Sequence, residues 1–591
     1  MDPVTLEILR NGFEAVAEEM NAALVRTGYS PNITERKDCS TALFDADGRM
    51  VAQAETMPVH LGAMPFSVAA ATDAFPPAEL NPGDSVLLND PFRGGAHLPD
   101  LTLVTPIYED GSLLGFAANR AHHADIGGSA AGSVAADSTE IYQEGLRIPP
   151  VKFIEGGDLN RDVLDLILAN VRTPDERRGD LRAQEAANET GRERLGGVVA
   201  EHGAATVREA FDDVQNYSER RMRAEIESLP DGTYAFEDVI EDDGRGNEDL
   251  PVVAEVCIEG DDVTVDFAGT ADQTEGPVNA VRAVTVSATY FALRAVTDPD
   301  IPPNEGCYRP ITVDTPAGSL VNPDPPAAVV GGNLETSQRV TDVVLGALAE
   351  AVPEAVPAAG QGTMNNVTVG GTDTRDSGSE RDTLADTRDG GRNGCERADA
   401  REPERDTSAD TRTDSPFAVY ETQAGGFGGR TGQDGMDAVH VHMSNTRNTA
   451  VEVLETAYPL RVREYALRPD SGGAGEFRGG LGLRRDIELR TDATVSLLAE
   501  RHRTRPYGLA GGEPGESGAA FLDGERVPAK TTRDCEAGTV VSIRTPGGGG
   551  YGDPDERDPE AVLRDLRLGK ITPERARRYG VDSSGSTGSD S

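Results

Sequence analysis

The stretch from Gly94 to Asp125, GGAHLPDLTLVTPIYEDGSLLGFAANRAHHAD, decides how this chain is read. Two apolar runs, Leu101 to Tyr108 and Leu113 to Asn119, flank the turn-rich Glu109-Asp110-Gly111-Ser112, the pattern of an antiparallel hairpin. Its open end is polar on both strands: His97 and Asp100 precede the first, and Arg120, His122, His123 and Asp125 close the second. With the turn centred near Asp110-Gly111, pairing puts Asp100 roughly opposite Ala121 and His97 roughly opposite Ala124. Imidazole and carboxylate meeting at one mouth suit Zn²⁺, Mn²⁺ or a related divalent ion, and they equally suit a hydrogen-bonded loop. A catalytic site normally takes three protein ligands, so a further ligand has to come from elsewhere in the chain.

Outward from the hairpin, Asp2-Pro3 offers an N-cap and a proline at the first helical position. Leu6, Leu9, Phe13, Val16, Met20 and Leu24 then recur at helical spacing. Thr41 to Phe44 and Met50 to Ala52, around the Asp45 to Gly48 turn, predict a second hairpin, and Ser85 to Leu88 a further strand. Arg161 to Glu227 reads as mostly helical, with Asp158 or Asn160 as a cap, and Gly232 to Ala268 as strands. Asn279 to Thr297 and Ser337 to Ala351 read as helices. Thr372 to Ser415 holds almost no apolar side chains and predicts a disordered insertion, because it cannot bury enough surface to offset its ordering entropy. Strands and glycine turns are expected from Phe417 to Gly552. Short helices at Pro559 to Leu568 and Pro573 to Tyr579 then precede a frayed tail. The expected fold class is α+β and multidomain: 1–230 with the candidate metal site, 231–371 mixed, 372–415 the insertion, 416–555 β-rich, and 556–591 short helices and tail.

The chain has 591 residues, 102 Asp and Glu against 56 Lys and Arg, and a net charge of -46. Such a field repels phosphate backbones and argues against nucleic-acid binding. Lys occurs only at Lys37, Lys152, Lys530 and Lys570, and this excess of acid with scarce lysine predicts adaptation to concentrated salt. The 372–415 segment carries 13 acidic residues and 8 Arg, net -5, so the acidity belongs mainly to the rest of the chain. No run approaches the ~20 apolar residues of a membrane span, and residues 1–30 lack a secretory pattern, so a cytoplasmic location is expected. Five dispersed cysteines without CxxC spacing argue against a disulfide framework and a thiolate zinc site.

Other motifs are less specific. Asn89 to Gly95 is a glycine-permitted loop, either a tight turn or an anion cradle. Gly425 to Arg430 and Gly547 to Gly550 match neither GxxxxGK[ST] nor the dinucleotide pattern, so no nucleotide site is expected. In Val439 to Met443, period-two spacing predicts a strand with His440 and His442 on one face, read as a hydrogen-bonded sheet face with a second site as the alternative. His60 either lines the cleft with His97 or caps a turn. No GxSxG elbow is present, and Cys39 has no activating context.

Several stretches together resemble the hydantoinase B/oxoprolinase family: Asp2 to Ile8, Tyr29 to Ile33, Glu35 to Asp38, Pro58 to Gly62, Asn89 to Gly95, His97 to Asp100, Asn119 to Asp125, Gly360 to Asn366, His440 to Met443, Leu467 to Gly473 and Thr545 to Gly550. The insertion and Ala450 depart from the family's pattern. The resemblance implies a subunit that works with a hydantoinase A-type partner, which binds ATP and phosphorylates the substrate oxygen. It further implies a divalent metal, Zn or Mn, held by Asp38, His97, Asp100 and His122. His123 or Asp125 is expected as general base, and Arg120 as the group that steadies the departing phosphate. The expected activity is hydrolysis of a cyclic amide: a hydantoin, an N-methylhydantoin or 5-oxoproline. A ketone carboxylase subunit of the acetone or acetophenone type is the alternative, and a non-catalytic scaffold for the A-type subunit is the alternative from another class.

Overall fold

A computed structural model describes residues 1–54, 56–373 and 415–581. The predicted insertion and tail therefore lie outside the described residues, apart from Thr372, Asp373 and Ser415, which are paired in a sheet.

The opening helix spans Pro3–Thr27, and the Asp2 carboxylate accepts from the Val4 and Thr5 amides, satisfying two donors the helix itself leaves free. Leu9, Phe13, Val16, Met20 and Leu24 are buried as the periodicity requires. They pack on an antiparallel sheet of seven strands in the order Met50–Gln53, Cys39–Asp45, Ser112–His122, Asp100–Glu109, Ser85–Leu88, Val151–Glu155, Asp158–Leu159. Helix Pro174–His202 lies beside the opening helix on the same face, while Met64–Ala74 packs on the strands from the other. Both central strands are buried along most of their length, which is why the hairpin reads as nearly continuous apolar text.

A second sheet orders Ile311–Asp314, Asp262–Asp266, Glu248–Glu259 and Gly232–Asp242, and is covered by helix Ser337–Ala351, which also packs on helix Arg282–Ala295. One π-helical turn, Gly332–Thr336, leads into the Ser337 helix. The remaining two sheets share a core in which Val367, Val419, Val495 and Leu497 of one meet Leu460, Ile487, Val541 and Ile543 of the other. The largest core joins the first two sheets and reaches Tyr420 and Met443. The chain is thus α+β, with several sheets and helices on them. Among the described residues no helix is long and apolar enough to cross a membrane.

Three local expectations are corrected. The central hairpin pairs Asp100 with His122, not Ala121, because a bulge at Ile107/Tyr108 adds a residue to the second strand. The His440–His442 segment is irregular: Ala438 and His442 adopt φ of +49° and +52°, which a strand cannot contain, and the two rings bond different partners. The Gly425 to Arg430 and Gly547 to Gly550 segments are packed backbone against backbone; a Cβ on Gly426 would stand 2.2 Å from the Gly548 nitrogen. Their amides are used in this packing, Gly429 donating to Gly549 and Gly548 to Gly480. The Asn89 to Gly95 loop is a tight turn whose Asn89 side chain binds Leu98, Leu146 and Ile148 backbone groups.

Candidate metal centre

Strand alternation does most of the placement. Directly opposed residues of an antiparallel pair project on the same face, so the bulge that pairs Asp100 with His122 also turns both side chains to one side. A register shifted by one residue would send them to opposite faces. His97 enters from the loop before the strand, three residues from Asp100. Asp38 precedes the strand Cys39–Asp45, which pairs Cys39 with Ala121, and its carbonyl accepts from the His122 amide at 3.0 Å. Lys37, at φ +55°, makes the turn that delivers it. His60 comes from the short helix Pro58–Leu61.

These five side chains line one buried cavity of about 10 Å³, room for a single ion or water, with Asn333 and Tyr420 on its far wall. His97 Nδ1 lies 3.0 Å from Asp100 Oδ2, His122 Nδ1 3.3 Å from Asp100 Oδ1, and His60 Nε2 3.4 Å from Asp100 Oδ2 and 4.0 Å from Asp38 Oδ1. One ligand atom from each of His97, Asp100 and His122 falls within 4.8 Å of the others, a group that can hold a metal ion. Apart from these mutual approaches, both nitrogens of His97, both oxygens of Asp100 and Nε2 of His122 are buried without a hydrogen-bond partner among the described residues. Leaving so many polar atoms unmatched in one place is costly, and a cation is an occupant that would satisfy carboxylate and neutral imidazole together.

Burial alone would push the Asp100 carboxyl up, but the facing His97 and His60 hold it well below the usual carboxylate range. For His97 burial prevails over the pull of Asp100, and its pKa falls. An ionised carboxylate beside an imidazole that resists protonation is the state in which metal ligands bind.

The supports are specific. The His122 ring stacks on Tyr420, centroids 4.6 Å apart and planes 19° off parallel, and the Tyr420 hydroxyl donates to Asn366 at 2.9 Å. The Arg36 guanidinium sits over the same Tyr420 ring and donates to its carbonyl at 2.6 Å. Ser40 Oγ lies 3.2 Å from His60 Nδ1, which leaves Nε2 facing the cavity. Sequence reasoning missed Tyr420 and Asn333, and only the approach of the third sheet and of the π-helical turn brings them here.

Arg120, His123 and Asp125 are buried but do not line the cavity. Arg120 shares the face of His122, yet its guanidinium is drawn under helix Met64–Ala74 by Thr102 and Ser67, at 2.9 and 2.7 Å. His123 alternates to the opposite face, where Nε2 meets Gln184 Oε1 at 3.0 Å; burial, with Arg177 nearby, lowers its pKa to about 4. Asp125 accepts from the Gly127, Gly132 and Arg172 amides and pairs with the Arg172 guanidinium at 2.8 Å, tying two loops together. His440 binds Ser444 at 2.9 Å, and His442 binds Asp342 at 2.9 Å.

A family model described as Hydantoinase B/oxoprolinase matches residues 2–554. An uncharacterised protein of Methanocaldococcus jannaschii is 40% identical over 584 residues, covering 98% of this chain and 95% of its own length. 5-Oxoprolinase 1 of Arabidopsis thaliana is 36% identical over 578 residues, covering 93% of this chain but 42% of its own length; the chain thus spans about two fifths of that relative. Among solved structures, the ATP-dependent caprolactamase from Pseudomonas jessenii superposes with a TM-score of 0.88 at 31% identity, covering 100% of this chain and 98% of the other. A nucleotide-free acetone carboxylase shares the fold, with a TM-score of 0.83 at 21% identity over 99% and 81% of the two chains. A match that takes in the hairpin, its cavity and both β-rich sheets establishes that the chain belongs to the hydantoinase B/oxoprolinase family.

Proposed function

We propose that this chain is the metal-holding component of an ATP-dependent hydrolase that opens a small cyclic amide, working with an A-type subunit that binds ATP. The observation that carries this reading is the set of unmatched ligand atoms on His97, Asp100 and His122 in a buried cavity. The names of two similar proteins, a 5-oxoprolinase and an ATP-dependent caprolactamase, support the substrate class. Likeness to acetone carboxylase is a likeness of fold and gives the carboxylase reading less support.

Asp38, His97, Asp100 and His122 would hold the ion, a mixed oxygen and nitrogen set that fits Zn²⁺ or Mn²⁺. Bound there, a divalent cation supplies a Lewis acid that lowers the pKa of water and polarises an amide oxygen. The chain's own groups do the rest. Asp100 faces three imidazoles and fixes their rings, and Tyr420 braces His122 from behind. His60, oriented by Ser40, takes the proton-carrying role expected of His123 or Asp125, since its Nε2 is inside the cavity. Arg120, His123 and Asp125 act on the site through the hairpin end and the loops they fix.

The test is reconstitution with the A-type subunit, ATP and a panel of 5-oxoproline, hydantoin, caprolactam, and acetone with bicarbonate. Ring opening should be lost on metal removal, restored by Mn²⁺ or Zn²⁺, and absent in His97→Ala. Full turnover by the metal-free or His97→Ala protein would sink the reading in favour of a scaffold, and turnover confined to acetone would favour a carboxylase.

A further inference from the structure

A ring cannot enter a cavity of about 10 Å³ as it stands, so the ground outside the metal centre matters. A surface groove bearing Glu7, Glu14, Lys37 and Asp300 shares Gln53, Thr56 and Pro299 with an inner pocket of about 310 Å³, within the size range of small-ligand sites. That pocket and the metal cavity share a wall one residue thick. Thr56 and Pro58 face the pocket while Met57 and Val59 face the metal side, and Asn445 faces the pocket while Ser444 and Thr446 face the metal side. Aromatic groups furnish the other walls: Phe291, and the Tyr290 and Tyr308 rings stacked at 4.2 Å and 6°.

Gln53 is the feature that points to a ligand. It ends the edge strand Met50–Gln53, is 4% exposed, and neither its Nε2 nor its Oε1 has a hydrogen-bond partner among the described residues. A primary carboxamide presents a donor and an acceptor side by side. Among secondary amides, the form that matches both at once carries N–H and C=O on the same edge, which is the cis amide. Ring closure forces every small lactam and hydantoin into that form, whereas open-chain secondary amides are trans and present the two groups on opposite edges.

We propose that the inner pocket is a binding site for small cyclic cis-amides, held by paired hydrogen bonds to the Gln53 carboxamide with the ring against Tyr290 and Phe291. The inference rests on the cyclic-amide reading above and adds where the ring waits beside the metal centre. No bond is made or broken there.

The experiment uses the full chain, 2-pyrrolidone as the cyclic probe and N-methylacetamide as the open-chain probe, followed by ligand-observed NMR. 2-Pyrrolidone should bind in the millimolar range and at least 10-fold more tightly than N-methylacetamide. Gln53→Met should weaken it about 10-fold while Mn²⁺ binding stays unchanged. Phe291→Ala, from the opposite wall, should also weaken 2-pyrrolidone and serves if Gln53→Met fails to fold. Absence of 2-pyrrolidone binding, or equal binding by Gln53→Met or Phe291→Ala, would overturn the site and leave the pocket to water. The two readings fail separately. Ring opening by the reconstituted complex with no dependence of probe binding on Gln53 removes only the pocket. Gln53-dependent binding without any ring opening removes only the hydrolase assignment.

Discussion

Two of the buried clusters of charge in this molecule are built on opposite plans. Around helix Ser337–Ala351, Arg339 meets Asp342 at 2.9 Å and Asp238 at 3.0 Å, Arg501 meets the same two carboxylates at 2.7 Å, and Lys530 pairs with Glu500. There the fold supplies its own cations. In the hairpin cavity the carboxylates Asp38 and Asp100 are lined by imidazoles and by no Arg or Lys. The first cluster draws its cations from the protein, and the second has the form of one that takes its cation from solution. A charge buried with its counter-ion is a structural element; a carboxylate buried with neutral donors marks a site.

The largest effect expected from this contrast is on stability. Arg339→Met leaves Asp238 and Asp342 short of a partner and should cost about 3–5 kcal/mol in chemical denaturation; a loss below about 1 kcal/mol would show that the cluster is not internally balanced. Asp100→Asn should behave in the reverse way. Metal affinity, followed by Mn²⁺ titration, should drop about 100-fold or more, while the metal-free chain loses less stability than in Arg339→Met, because Asp100 faces imidazoles and its removal leaves no buried guanidinium or carboxylate unpaired. If metal-free Asp100→Asn loses as much stability as Arg339→Met, the cavity is structural like the first cluster.

Asp38 reaches the cavity from another strand, and Asp38→Asn should lower metal affinity about 10- to 100-fold with little change in melting. An unaltered titration would reduce the ligand set to His97, Asp100 and His122. The smallest effect concerns pH. Burial pushes the Glu335 carboxyl up to about 8, against a hydrogen bond from Thr363. Its folded pKa therefore exceeds its unfolded value, so its contribution to stability is full below about pH 4.3 and is lost as pH rises toward 8. Glu335→Gln should flatten the fall in melting temperature between pH 5 and 8, and parallel curves for variant and parent would contradict that assignment.

Much of the candidate site was legible because it is local. His97 and Asp100 lie within four residues, and one turn, Asp110-Gly111, brings their partner strand back. The face was not legible. Whether Asp100 stands opposite Ala121 or His122 depends on the bulge at Ile107/Tyr108, where Gly115 pairs with Ile107 and Leu113 with Tyr108, and a single glycine inside an apolar run does not say that a residue is added there. For the same reason His123, one residue beyond His122, could not be told from a site residue until the register was known. Tyr420 and Asn333 were invisible because nothing in their neighbourhoods differs from ordinary core text. The glycine segments misled in another way: glycine was expected to permit turns, and here it permits backbones to touch.

The sequence by itself determined the capped opening helix, the hairpin, the clustering of rare histidines at its mouth, the acidic body and the family. Each of these is written in short-range spacing or composition, where φ/ψ preference and side-chain alternation act. The tertiary structure alone decided that His60 lines the cavity, that Arg120, His123 and Asp125 turn away from it, and that Gln53 is left unmatched beside it. Those outcomes depend on register and on packing between segments far apart in the chain, where a shift of one residue exchanges the buried faces.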